Sequence, residues 1–228
     1  MPVICRVISI GTLASHPLRH EPEHVRTGHA TTTLITSGGA RVLVDPSLPT
    51  QVLTARLEER AGITPDHITH VFLTSFDRDR RRCLGAFPQA QWLMGPVERE
   101  HAAQLLAAEA EAFKRSGDPE LVAHNQFERE ALGTITAAED TIATGVDLFP
   151  LPGFTAGTCG LILSQPTSTV LVCGDAVPTV EHLEQGKVLP GCADVEQAQE
   201  SFREAVEIAD ILILGRDNWA SNPLRGVV

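Results

Sequence analysis

Five short stretches concentrate the residues able to do chemistry: VDPS at 44–47, TSFDRDR at 74–80, LPGFTAG at 151–157, CGDA at 173–176 and GRDN at 215–218. Most follow apolar runs, so their charged groups open from strand ends into loops, where α/β architectures place binding and catalytic groups. Asp77, Asp79 and Asp175 together could supply an all-oxygen site for a single hard ion of the Mg²⁺ or Mn²⁺ type, which prefers carboxylates. Arg78, Arg80 and Arg216 offer charge-assisted contacts to an anion. For Asp79 and Asp175 the plainer use, as turn caps or arginine partners, is favoured over catalysis, because ion-pair networks hold carboxylates without doing chemistry.

Histidine and cysteine add less. SHPLRHEPEHVRTGH at 15–29 carries His16, His20, His24 and His29, but Pro17 and Pro22 oppose the helix that would align the first three. Loop packing is expected for these, with His29, which leads toward the Asp45 corner, as a possible ligand contact. His67, His70, His101, His124 and His182 stand alone and are expected to be structural. Cys83 and Cys159 flank two corners, yet no histidine sits where it could activate either thiol. The five cysteines contain no CxxC pair, which fits reduced thiols in a core.

The elements that must position these corners are readable from apolar patterning. Strands are expected at Val3–Ile10, Thr31–Thr36, Arg41–Asp45, His70–Thr74, Gln91–Met94, Val146–Pro150, Cys159–Ser164, Thr169–Cys173 and Ile211–Leu214, each rich in Val, Ile, Leu or Thr. Gly38-Gly39 predicts a tight hairpin between the second and third. Helices are expected at Thr50–Ala61, Pro96–Arg115, Pro119–Leu132 and Asp194–Ala209, the last with Asp194 as N-cap and Gln197 three residues on.

Composition narrows the class. The 228 residues are 43% hydrophobic and 21% charged, as in an ordinary globular protein, and no linker marks a boundary, so a single domain over 1–228 is expected. A formal net charge of −11 repels a phosphate backbone and argues against nucleic acid. No apolar run reaches the length of a signal h-region or membrane span, which predicts a cytoplasmic chain without membrane contact.

TTTLITSGGARVLVDPSLP, ITHVFLTSFDRDRRRCLGAFPQAQ, LPGFTAGTCGLIL, VLVCGDAV and ILILGRD, taken in order, resemble the metallo-β-lactamase-fold hydrolases, which include glyoxalase II-like thioesterases and lactonases. The resemblance covers nearly the whole chain and implies an α/β, four-layer αββα sandwich. It also implies that the His-x-His-x-Asp-His ligand set falls at Ser75, Asp77, Asp79 and Arg80, the third-ligand histidine at Phe154, the bridging aspartate at Asp175 and the last histidine at Arg216. Only Asp79 and Asp175 keep a family ligand. Ser75 is a poor zinc donor, Phe154 is none, and Arg80 and Arg216 are permanent cations.

A di-zinc centre is therefore not expected, and no other cofactor is. Arg80 and Arg216 are expected to pair with the remaining carboxylates in place of metal. The leading expectation is a pseudoenzyme with a degenerate metal site that binds a small, anionic ligand or a protein partner in the residual pocket. The alternative is a hydrolase of esters, lactones or thioesters using one ion at Asp77, Asp79 and Asp175. A third is a structural or homo-oligomerising protein.

Overall fold

The computed structural model describes residues 2–23 and 25–225. In chain order it contains β1 (Ile4–Ser9), β2 (Thr32–Ser37), β3 (Ala40–Val44), α1 (Thr50–Ala61), β4 (His70–Leu73), β5 (Gln91–Met94), α2 (Pro96–Ser116), α3 (Pro119–Gly133) and β6 (Ile135–Ala137). There follow β7 (Thr141–Ala143), β8 (Val146–Pro150), β9 (Cys159–Ser164), β10 (Thr169–Val172), α4 (Val180–Gln185), α5 (Val195–Ile208), β11 (Ile211–Ile213) and β12 (Trp219–Ser221). The strands form two sheets, ordered β1-β2-β3-β4-β5-β6 and β12-β11-β10-β9-β8-β7.

Strand alternation explains the layering. Successive side chains point to opposite faces, and both faces of the first sheet are apolar: Leu34, Leu43, Val71 and Leu73 pack outward with Leu53 and Leu57 of α1 and Leu106 of α2. Their neighbours Ile35, Val42, Val44 and Phe72 point inward against Leu161, Leu163, Val170 and Val172 of the second sheet. The second sheet's other face, through Leu171 and Leu212, meets Phe202, Ala205 and Val206 of α5. Helices thus cover the outer face of each sheet, which is the expected αββα sandwich. Phe72 is fully buried at the sheet–sheet interface, where truncation to alanine costs about 3–5 kcal/mol.

Local signals set the ends. The two-residue turn between β2 and β3 uses Gly38 at φ +56°, a conformation that glycine adopts without steric cost. The Asp194 side chain accepts from the Gln197 backbone N–H and starts α5 as predicted. β6, β7, β12 and α4 were not anticipated, because segments of three to six residues are too short to show a period. Among the described residues no helix is long and apolar enough to cross a membrane.

Candidate functional site

β3 and β4 run parallel in one sheet, as do β10 and β11 in the other, so the chain leaves each pair in a common direction. The corners at their ends meet. Just past β3, Asp45 adopts φ +48°, a left-handed conformation that aspartate tolerates better than most residues. Its carboxylate is fixed by the Thr74 backbone N–H at 2.9 Å and the Thr74 hydroxyl at 2.8 Å.

Arg80 is fully buried in the middle of the cluster. Its Nη1 donates to Asp45 Oδ2 at 2.5 Å, its Nη2 is ion-paired with Asp175, and its Nε lies 3.9 Å from Asp77. Arg216 reaches the same Asp175 from the other side. Its Nε and Nη2 donate to Oδ1 and Oδ2 at 2.8 and 2.7 Å, and its Nη1 bonds to Asp79. One carboxylate is thereby held between two guanidiniums, and each guanidinium is shared with a second aspartate.

Burial works against charge throughout, and pairing decides the outcome. Desolvation opposes ionisation of Asp175, but Arg216 and Arg80 outweigh it and hold the carboxyl well below the usual range. Burial likewise disfavours the Arg80 cation, and Asp175, Asp45, Asp79 and Asp77 overcome it, so Arg80 keeps its proton far above neutrality. For Asp45 burial dominates and raises the carboxyl, with Arg80 and Thr74 pulling it back. Replacing one member would leave an uncompensated buried charge, the expensive case for such networks.

A cleft of about 400 Å³, bounded by the 76–78 and 154–156 corners and by α2 and α3, adjoins the cluster through Asp77; Asp45, Asp79, Arg80, Asp175 and Arg216 are not among its lining residues. Asp77 and the half-buried Phe154 line it; Asp77 accepts from the buried Ser75 hydroxyl at 2.8 Å. Arg78 lies at the rim, with Nε 3.2 Å from Glu128, and Arg81 bonds to the same Glu128 while its guanidinium sits 4.1 Å over the Phe76 ring. Anion contacts expected from Arg80 and Arg216 are taken up by internal carboxylates, and Arg78 is engaged by Glu128.

Other candidates lie elsewhere. His29 stays outside the cluster, with Nε2 3.1 Å from the Ile10 carbonyl. Cys83 is buried, and burial raises its thiol; Cys159 is pushed up to about 12 for the same reason, so neither is a thiolate at neutral pH.

The structure also assembles a group that spacing could not reveal. His16 and His182, buried and with ring centroids 5.3 Å apart, flank the Thr179 hydroxyl at 3.1 and 2.8 Å. Glu181 accepts from that hydroxyl at 2.9 Å and is held by Arg19. Burial, with His16 nearby, pushes His182 down to about 4. His182 is therefore not isolated as expected but packed against His16, and His24 lies outside the described residues.

Residues 25–212 match the family model of the metallo-beta-lactamase superfamily. The chain belongs to that superfamily. Two probable metallo-hydrolases, from Mycobacterium tuberculosis and Mycobacterium bovis, are each 30% identical to it over 141 residues, 60% of this chain and 46% of theirs. The chain thus aligns with about half the length of these relatives. A probable metal-dependent hydrolase from Staphylococcus aureus superposes with a TM-score of 0.69 at 12% identity, covering 100% of this chain and 98% of the other. The dizinc quorum-quenching lactonase AidC superposes with a TM-score of 0.63 at 15% identity, covering 90% and 80%. At these identities the two structures establish a shared superfamily fold.

Proposed function

We propose that this superfamily member carries an internal arginine–carboxylate network where its hydrolytic relatives carry metal, and that it binds a small ligand in the neighbouring cleft instead of working as a di-zinc hydrolase. The observation that carries the reading is the burial of Arg80 between Asp45 and Asp175. A unit charge 4 Å from a guanidinium is repelled by about 4 kcal/mol at an effective dielectric near 20, and a divalent ion by roughly twice that. The donors are also poor for zinc: Ser75 and Phe154 contribute no imidazole or thiolate, and Arg216 already spends three nitrogens on Asp175 and Asp79. Among the described residues no group of three or more His, Cys, Asp or Glu is placed to hold a metal ion.

One observation favours a second reading, that of a hydrolase of esters, lactones or thioesters using a single hard ion. Asp79 Oδ1 is buried without a hydrogen-bond partner, and Asp77 is 41% exposed beside it in sequence. This reading needs Asp77, Asp79 and Asp175 to converge from their present positions and Asp175 to give up its arginine partners; one Mg²⁺ or Mn²⁺ would then be held there, and its bound water would be the nucleophile.

Metal analysis of tag-free protein separates the two. The proposal expects less than stoichiometric Zn, Mn or Mg, no change in Tm with chelator, and no metal-dependent turnover of lactone or thioester substrates. A stoichiometric ion whose removal lowers both Tm and turnover overturns it in favour of the hydrolase.

A further inference from the structure

The cleft beside the network has a chemistry of its own. Asp77, Glu98, Glu109 and Glu128 line it, and Arg78 is the one permanent cation in that lining. Two of the acids are already satisfied. Both Glu98 oxygens are used, by the Phe76 N–H at 2.8 Å, the Thr155 hydroxyl at 2.6 Å and the Gly157 N–H at 3.2 Å. Glu128 is shared by Arg78 and Arg81.

Two acids keep acceptor capacity. Asp77 receives one bond, from Ser75 to Oδ2, and Glu109 receives only a long 3.5 Å contact from Asn125. The remaining wall is apolar and aromatic: Phe76, Phe113 and Phe154 with Leu105 and Leu106. Carboxylates with spare oxygens beside ring faces and alkyl side chains suit a positive group carried on a hydrocarbon arm. The cleft's volume of about 400 Å³ falls at the lower end of the range for small-molecule sites. The net charge of −11 adds a long-range field of the same sign.

We infer that the cleft binds a small organic cation, an alkylammonium whose charged head is taken by Asp77 and Glu109 and whose hydrocarbon arm lies against Phe113, Phe154 and Leu105. The inference rests on the reading of the cleft as a ligand site and adds the class of ligand, opposite in charge to the anion expected from the sequence. Arg80 and Arg216 are not among the lining residues, and their donors are taken by Asp45, Asp79 and Asp175, so they offer an anion in the cleft no direct contact. Asp77, from the corner after β4, and Glu109, from α2, line the same cleft.

Calorimetric titration with hexylammonium chloride, sodium hexanoate and 1-hexanol, at pH 8 and low salt, tests it on the full chain. The expected result is saturable, one-site binding of hexylammonium, at least tenfold tighter than either other probe and weakened by added salt. The double variant Asp77→Asn/Glu109→Gln should lose at least tenfold, and Glu100→Gln, exposed on α2 outside the lining, should lose none. Both altered side chains are at least partly exposed, and the melting temperature of each variant confirms folding. Preference for hexanoate, or equal binding of all three, overturns the ligand class while leaving a binding cleft. No binding of any probe overturns this inference, and the metal content then decides separately between the two readings of the network.

Discussion

Arg216 grips Asp175 through two near-parallel hydrogen bonds, Nε to Oδ1 at 2.8 Å and Nη2 to Oδ2 at 2.7 Å, while its third nitrogen reaches Asp79. A lysine cannot reproduce that fork. Arg216→Gln is expected to destabilise the protein by about 3–5 kcal/mol, since it strands a buried carboxylate. Arg216→Lys should recover less than half of that loss in urea denaturation. Full recovery would mean that charge alone, without the bidentate geometry, holds Asp175.

The pair of Arg80 with Asp45 has no exposed member: their side chains are 0% and 2% accessible. Arg80→Met alone should cost about 3–5 kcal/mol by leaving Asp45 and Asp175 short of a counter-charge. Adding Asp45→Asn removes one of the stranded charges, so the double variant should be more stable than the sum of the singles by about 0.5–3 kcal/mol. Strict additivity in a double-mutant cycle would show that the two side chains do not interact.

Acid stability should carry the signature of His182. Its ordinary pKa of 6.5 falls to about 4 in the folded chain, so on acidification the unfolded chain takes up a proton first. Folding then loses about 3 kcal/mol between pH 6.5 and pH 4. The groups around it are His16, Glu181, Asp175 and Lys187. Asp175 is held below the usual carboxylate range, so its contribution is complete above about pH 4 and is lost only below that. His182→Asn, which keeps a donor for the Thr179 hydroxyl, should flatten the Tm profile from pH 6.5 to 4. An unchanged slope would assign the acid sensitivity to another group.

Gly215 sets the depth of the network. A Cβ there would lie 2.2 Å from the Gly174 carbonyl oxygen and 2.8 Å from Asp175 Oδ1. Gly215→Ala must displace the Asp175 corner, and a loss of about 2–4 kcal/mol is expected, comparable to overpacking with strain. Stability within about 0.5 kcal/mol of wild type would mean that the corner has slack.

The order of strands and corners was legible because the central strands β2, β3, β4 and β10 are short runs dominated by Val, Ile, Leu and Thr, largely buried, and three of them lead into polar or charged corners. Val42–Val44 and Val71–Leu73 show this best: alternate residues serve the helix-facing and sheet-facing cores. Arg80 and Arg216 could be singled out by the family's ligand order, but Asp45 as the direct acceptor of Arg80 could not, since that contact depends on the left-handed turn at Asp45. The His16–Thr179–His182 group was invisible because its halves lie more than 160 positions apart. The only local hint was Thr179 three residues before His182, a capping pattern that marks a helix start and carries no chemistry. Glu98 was missed for a similar reason: in sequence it is one acid in a polar helix, and its donors come from two distant corners, Phe76 from one and Thr155 and Gly157 from the other.

Asp45, Asp79 and Arg80 come from the first sheet's loops, and Asp175 and Arg216 from the second's. Each half holds one pair of its own, Arg80 with Asp45 and Arg216 with Asp175, and the pairs Arg80–Asp175 and Arg216–Asp79 cross between the halves. The ionic centre is therefore a clasp between the halves: its two crossing pairs form only when the sheets have closed, so their contribution comes with sheet docking and not before it.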